Sequence, residues 1–349
     1  MMAVYKDIIR CGNRRGGVVT IAPQDTVSTA AKVMLEEHVG CLIVIGVDGR
    51  VVGVISERDI VGRVTAAMVD PVKTLVGKVM TTSVITCTPM TPLDEVRKLM
   101  EDLHIRHVVV LEGFKPVGMV SSREIITRQL ADARDVRNLA IFSLARLAEM
   151  RDSDTGSHLE RVREYTRILS TQLRRRKGYD EVIDDNFIEL IYVTSPLHDI
   201  GKVSIPDSVL LKPGRLDDME YEIMKTHAET GAGTLELALK EFPDAEFLRM
   251  ARDIAGCHHE RVDGKGYPRG LVGKDIPLSA RVFALVDVYD ALVSKRVYKD
   301  AFTPVVAKNI IIEGAGTQFD EDVVAAFVEC ESEFTETCHR LSPLATAVA

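Results

Sequence analysis

Five of the nine histidines lie between residues 151 and 299, and each has an aspartate or a glutamate within two positions. They are His158, His198, His227, His258 and His259. Imidazole nitrogens mixed with carboxylate oxygens suit iron, manganese or a similar divalent ion, whereas six scattered cysteines without a CxxC pair exclude an all-thiolate zinc site. Two such ions held close together neutralise a phosphate group during its hydrolysis. The histidines therefore predict a centre for phosphoester cleavage.

Two adjacent pairs among these residues predict how the ions are shared. Asp199 directly follows His198, so its carboxylate is expected to bridge two ions. The side chains of His258 and His259 are expected to point in different directions and to serve two separate ions. The net charge of −8 argues against indiscriminate binding to DNA or other nucleic acid, so metal ions would supply the positive charge that a phosphate requires.

The first third of the chain contains an internal repeat. Residues 18–60 and 84–125 follow one pattern, in which Pro23 matches Pro89 and Gly53 matches Gly118. Such self-similarity indicates a duplicated unit. In each copy, apolar spacings of three and four predict a helix, and two apolar runs joined by a turn predict strands, which gives a βαββα order.

The tandem pattern and the ending GVISERDI resemble a CBS domain pair over residues 10–127. The resemblance implies an α/β module whose two copies pack pseudo-symmetrically and bind an adenine nucleotide in the clefts between them. Glu124 stands where the family usually has aspartate. A ligand-free module that serves dimerisation is the alternative. The positions that match the family's ribose-binding pattern are Ser56 and Asp59 in the first copy and Ser121 and Glu124 in the second.

Residues 125–151 contain neither proline nor glycine and carry apolar residues at nearly heptad spacing, which predicts a continuous helix. This helix either belongs to the core of the second domain or transmits a change of dimer geometry. We expect a combination, in which it forms a homodimer and runs into the catalytic domain. The predicted division is a CBS module at 1–127, a connecting helix at 128–150 and a helical domain at 151–349. The apolar seam consists of Ile126, Leu130, Ala133, Val136 or Arg137, Ala140, Leu144 and Leu147.

Two motifs of the histidine region, HDIGK at 198–202 and HHERVDGKGYP at 258–268, resemble the HD-GYP branch of the HD phosphohydrolases. The resemblance covers residues 135–335 and implies an all-helical domain that hydrolyses the cyclic dinucleotide c-di-GMP to linear pGpG or on to GMP. It implies catalytic roles for Asp199 and for Lys202, which would contact the phosphate or protonate the leaving oxygen. The implied metal ligands are Asp154, His158, His198, Asp199, His227, His258, His259 and Asp287. The implied substrate contacts are Gly266, Tyr267, Pro268, Arg296 and Lys299.

Asp154 departs from the family pattern, which has a glutamate at this position as a ligand of a third ion. Aspartate is one methylene shorter, and coordination tolerates only small errors in distance. The site is therefore expected to hold two ions, and Asp154 decides whether it holds a third.

The leading prediction is a c-di-GMP phosphodiesterase that the CBS pair regulates and that docks to other c-di-GMP signalling proteins. The same site acting on another cyclic dinucleotide or on a nucleotide monophosphate is one alternative. A c-di-GMP receptor or adaptor without hydrolysis is the other. The sequence shows no apolar run of membrane-spanning length and no secretory signal, which predicts a cytoplasmic protein.

Overall fold

Residues 18–151, 157–294 and 301–341 are described by a computed structural model of the chain. The chain divides into two compact units, Met1–Arg134 and Asp135–Ala349. None of the helices in the described ranges is long and apolar enough to cross a membrane.

The first unit contains two three-stranded sheets of identical topology. In each, the middle strand pairs with the first strand in parallel and with the third strand antiparallel. The middle strands also share a register shift at matching positions, Val44/Ile45 and Val110/Leu111. The predicted duplication and βαββα order are therefore confirmed. The first copy contains β1 (Thr20–Ile21), α1 (Val27–Glu37), β2 (Cys41–Ile45), β3 (Val51–Ser56) and α2 (Glu57–Ile60), and α3 (Val76–Val79) follows it. The second contains β4 (Thr86–Cys87), α4 (Leu93–Asp102), β5 (His107–Glu112), β6 (Lys115–Ser121) and α5 (Ser122–Glu149).

Helix α5 is a single helix of 28 residues, so the predicted connector lies within a longer element that begins at Ser122. Its start packs Ile125 into the core of the second copy. Near its end, Ile141 and Ala145 are buried in a core cluster of the second unit. The predicted seam lies on a different face, and its large residues are more than half exposed: Ile126, Leu130, Val136, Leu144 and Leu147.

The described part of the second unit consists of helices joined by loops, so the predicted all-helical domain is confirmed. Its core is a cluster of aromatic and aliphatic residues in which Tyr165 stacks on Phe334 with ring centroids 4.5 Å apart. Tyr289 packs edge-on against Tyr165, which places the helices His158–Leu173 and Leu278–Val293 side by side. Besides the end of α5, the helices are α6 (His158–Leu173), α7 (Asp185–Thr194), α8 (Asp207–Leu210), α9 (Asp218–Glu241), α10 (Glu246–Cys257), α11 (Leu278–Val293), α12 (Pro304–Glu313) and α13 (Glu321–Arg340). Short 3₁₀ turns occupy Ser195–Leu197, Ile200–Ser204 and Gly273–Asp275.

Candidate metal centre

Six histidine and aspartate side chains of the second unit gather into two groups of three. We call them the three-histidine group and the mixed group. Within each group, the potential ligand atoms all lie within 4.8 Å of one another, a spacing suited to one metal ion. The three-histidine group is His227, His258 and His259, and the mixed group is His158, His198 and Asp287.

Asp199 presents one carboxylate oxygen to each group. Its Oδ2 lies 3.1 Å from Nε2 of His198 in the mixed group, without the geometry of a hydrogen bond. Its Oδ1 lies 3.3 Å from Nε2 of His227 and 3.8 Å from Nε2 of His258 in the three-histidine group. This placement is the one that a carboxylate bridging two ions requires.

Three of the histidines hold their imidazole rings in the same way. The Nδ1 atoms of His198, His227 and His258 lie 3.0, 2.6 and 3.0 Å from the backbone carbonyl oxygen three residues earlier. A carbonyl only accepts hydrogen bonds, so each Nδ1 carries a proton, and in the neutral ring each Nε2 carries a lone pair. The Nε2 atoms of His227 and His258 face each other at 3.4 Å. Buried lone pairs that converge beside a carboxylate repel one another, and a cation between them removes that repulsion, so these residues fit divalent metal ions.

The charge state of these residues also favours metal binding. Burial lowers the pKa of His258 to about 4 and lowers that of His227, so both rings are neutral near pH 7. Burial opposes ionisation of Asp199, but the charge of Lys202 outweighs it and holds the pKa of this carboxyl well below its usual range. Neutral imidazoles and an ionised carboxylate are the forms that coordinate a metal ion.

The adjacent residues His258 and His259 do not diverge as the sequence analysis expected. Helix α10 ends at Cys257, and the chain turns there, with His258 as the C-cap. Successive residues of a helix point about 100° apart, as 3.6 residues per turn imply, but this constraint is lost in the turn. The two rings lie 3.9 Å apart, and both belong to the three-histidine group. The expectation that the two side chains point in different directions is therefore wrong, and this geometry favours one ion for both rings over separate ions.

Close backbone packing brings the parts of the centre together. The HDIGK motif contains Gly201, whose backbone lies directly against helix α9 at His227 and Gly231. The guanidinium of Arg151 donates hydrogen bonds to the carbonyl oxygens of Lys202 at 3.3 Å and Ile205 at 3.1 Å, which caps the 3₁₀ turn. Within that turn, Nζ of Lys202 lies 2.8 Å from Oδ2 of Asp199.

The GYP loop, which consists of Gly266, Tyr267 and Pro268, lies against the three-histidine group. The ring of Tyr267 stacks on that of His259, with centroids 4.6 Å apart, and Pro268 follows it through a cis peptide bond. A Cβ on Gly266 would lie 2.4 Å from the backbone nitrogen of Arg261, so only glycine fits there. The neighbouring Glu260 is buried and accepts hydrogen bonds from the backbone N–H groups of Arg269 and Leu271 at 2.7 and 3.0 Å, which holds the loop in place.

Two residues that the sequence motifs do not predict, Asp290 and Arg161, support His158. Nδ1 of His158 lies 2.7 Å from Oδ2 of Asp290, and Arg161 donates two hydrogen bonds to the same carboxylate, at 2.6 and 2.8 Å. Burial lowers the pKa of His158, but the hydrogen bond and charge of Asp290 outweigh it and raise the pKa to about 9. A carboxylate behind a histidine ligand fixes its tautomer and raises its basicity. The spacing held a signal: Asp290 lies one helical turn after Asp287, and Arg161 lies nearly one turn after His158.

Replacing Asp290 with asparagine is expected to weaken metal binding at the mixed group by about 10- to 100-fold, the usual effect of removing such a partner. The amide keeps the shape of the side chain but loses the charge that orients His158 and neutralises Arg161. Calorimetric titration of the metal-free protein would show one weakened site and one unchanged site. The matched control is Ser294→Ala, which removes a hydroxyl that accepts from Arg161 at 2.9 Å and donates to Asp290 at 3.4 Å but leaves the charge of the carboxylate in place. Wild-type affinity at both sites in Asp290→Asn would contradict the assignment.

Three predicted residues, Asp154, Arg296 and Lys299, lie outside the described residues.

The four predicted nucleotide contacts all line a cavity of about 910 Å³ in the first unit. In each copy the serine caps the following helix together with the acid. The N–H and Oγ of Ser56 donate to Asp59 at 2.9 and 2.6 Å, and those of Ser121 donate to Glu124 at 2.7 Å each. The longer glutamate therefore accepts the same two hydrogen bonds from its serine as the aspartate does.

Comparison with known proteins extends these findings. A curated cyclic di-GMP phosphodiesterase of Vibrio cholerae is 49% identical over 62% of this chain and 43% of its own length. A 3'3'-cGAMP-specific phosphodiesterase of the same organism is 37% identical over 59% of this chain and 37% of its own length. The chain thus spans less than half of each relative. A solved CBS-domain protein from Burkholderia ambifaria is 28% identical, covers 38% of this chain and 96% of its own, and has a TM-score of 0.35.

Family models match both units. The CBS domain model matches residues 13–66 and 76–131, which confirms the resemblance of the repeat. The HD domain model matches residues 143–323, more than half of the 349 residues and the region that contains both metal-ligand groups. The chain therefore belongs to the HD domain family, with a tandem CBS pair before its HD domain.

Proposed function

We propose that this protein is a metal-dependent phosphodiesterase that hydrolyses c-di-GMP to pGpG, to GMP or to both. The observation that carries the proposal is the placement of Asp199, with one carboxylate oxygen toward each of two ligand groups. The names of the relatives support a cyclic dinucleotide as the substrate class. Some of these relatives are named for c-di-GMP and others for 3'3'-cGAMP, so the latter is the second candidate substrate.

The residues of the chain have distinct roles in this proposal. The mixed group and the three-histidine group would each hold one ion, and Asp199 would be a ligand common to both groups. The metal would be iron or manganese. When bound, the ions supply positive charge for the phosphodiester and lower the pKa of an attacking water. Lys202, held beside Asp199 in the 3₁₀ turn, would contact the phosphate or protonate the leaving oxygen. A third ion would require Asp154.

Regulation by the CBS pair is part of the same proposal. The cavity lined by Ser56, Asp59, Ser121 and Glu124 would hold an adenine nucleotide. The exposed seam of α5 would form a homodimer, because an apolar stripe at heptad spacing is the usual seam of paired helices. A change in nucleotide binding or in the geometry of the homodimer would reach the HD domain along α5. Docking to other c-di-GMP signalling proteins and a cytoplasmic location stay predictions.

The test is a product assay on protein purified without oxygen and analysed for metal content. We expect hydrolysis of c-di-GMP, with pGpG and GMP resolved by chromatography, and a higher kcat/KM than for 3'3'-cGAMP. Chelation should remove the activity, and iron or manganese should restore it, because the proposed hydrolysis depends on the positive charge that the bound ions supply. Binding of c-di-GMP without turnover by fully metal-loaded protein would instead support a receptor or adaptor.

A further inference from the structure

An aromatic and cationic row runs outward from the three-histidine group. The ring of Tyr267 stacks on His259, and Nζ of Lys225 lies 5.7 Å from the centre of the Tyr267 ring. The same Nζ lies 5.5 Å from the centre of the Tyr221 ring, and the two tyrosine rings meet edge-on at 6.5 Å. The row therefore contains, in order, a candidate metal ligand, an aromatic ring, an ammonium group and a second aromatic ring.

Helix α9 places Tyr221 and Lys225 one turn apart, shortly before His227. Asp217 caps the start of this helix with its side chain and fixes the position of the first turn. Tyr221 is 49% exposed, so core packing does not account for its ring. Lys225 pairs with Glu222 at 2.6 Å, but Glu222 is 70% exposed. Such a surface pair is weak, and an anionic ligand can replace it.

A cyclic dinucleotide needs more contacts than a metal centre provides. It carries two phosphates and two purine bases, and only one phosphate is cleaved at a time. The remaining phosphate requires a cation, and an aromatic ring binds a purine by stacking. The protein has a net charge of −8, which repels an anionic substrate. A cation held beside the centre offsets this repulsion locally.

We propose that Tyr221 and Lys225 form a recognition site for the part of a cyclic dinucleotide that is not being cleaved. Tyr221 stacks on a purine base, and Lys225 pairs with the second phosphate. Tyr267 is the positioning residue between them and the centre, because its ring packs on His259 and neighbours both. This inference rests on the proposed function and specifies its substrate recognition.

The experiment compares c-di-GMP with bis(p-nitrophenyl) phosphate, a phosphodiester without purine bases or a second phosphate. We expect Tyr221→Ala and Lys225→Ala each to raise KM for c-di-GMP on the order of tenfold, with kcat changed much less. The ratio of kcat/KM for c-di-GMP to that for the small ester should fall by a similar factor. Tyr221→Phe should restore the wild-type KM, since stacking needs the ring and not the hydroxyl. Glu222→Ala is the matched control and should not raise KM, because it removes only the competing partner of Lys225.

Two results would overturn the recognition site. One is an unchanged KM for c-di-GMP in both alanine variants, and the other is an equal loss on both substrates, which indicates a general effect on the metal centre. If the wild-type protein cleaves the small ester but not c-di-GMP, the proposed function fails. Calorimetric titration of wild type and Tyr221→Ala with c-di-GMP then tests the recognition site separately. We expect about tenfold weaker binding by the variant. Equal binding by the two proteins would contradict the recognition site.

Discussion

Replacing Asp199 with asparagine is expected to lower kcat for c-di-GMP by at least about 100-fold, beyond the effect usual for a residue that only supports a metal ligand. The two oxygens of Asp199 face different ligand groups, so one substitution affects both. An amide removes the negative charge. It also replaces one of the two oxygens with an NH₂ group, which cannot coordinate an ion in one of the two ligand groups. The variant should also bind fewer ions than the wild type, which elemental analysis and calorimetric titration would measure.

A control separates this effect from a general loss of structure. Asp253→Asn changes an aspartate on α10 that pairs with Arg252 at 2.6 Å and belongs to neither ligand group. That variant should keep its metal content and its kcat within about twofold, since such pairs contribute little. Full metal content and wild-type turnover in Asp199→Asn would refute the assignment of the bridge.

Replacing Gly201 with alanine is expected to destabilise the fold by about 3 kcal/mol or more, the upper end of overpacking effects. The added Cβ would lie 1.9 Å from the carbonyl oxygen of His227 and 2.6 Å from the backbone nitrogen of Gly231. Both are backbone atoms, so no side-chain rotation relieves the clash, and the 3₁₀ turn must move away from α9. That movement separates Asp199 from His227, and turnover should fall together with stability. Denaturant unfolding and the product assay measure the two effects.

The same helix provides the matched control. Gly233 lies in α9, where an added Cβ would meet no atom within 4 Å. Gly233→Ala should therefore raise the free energy of unfolding by roughly 0.5–1 kcal/mol, because alanine favours a helix interior over glycine. Equal unfolding midpoints for wild type and Gly201→Ala would show that the close packing is not as described.

Much of this architecture is readable from the sequence. The repeat at residues 18–60 and 84–125 predicts two similar units because each copy carries its own strand and helix periodicity. The HDIGK and HHERVDGKGYP motifs identify the ligand types, because metal binding restricts the residues that can serve. In α5 the heptad spacing predicts a helix, but it cannot say which face packs into the second unit. The structure buries Ile141 and Ala145 there and leaves Leu130 and Leu144 exposed.

The tertiary structure alone decided how the ligands are grouped and supported. His258 and His259 share a group because α10 ends at Cys257, directly before them, and the chain turns there. The residue types alone do not encode this change of chain direction. Asp290 supports His158 from 132 positions away, and the Lys225 amine meets the Tyr267 ring only because α9 and the GYP loop pack together. Local sequence determines which side chains can bind a metal and how each helix presents them. Their distances across the centre depend on helix packing over long separations, for which the chain carries no local periodic signal.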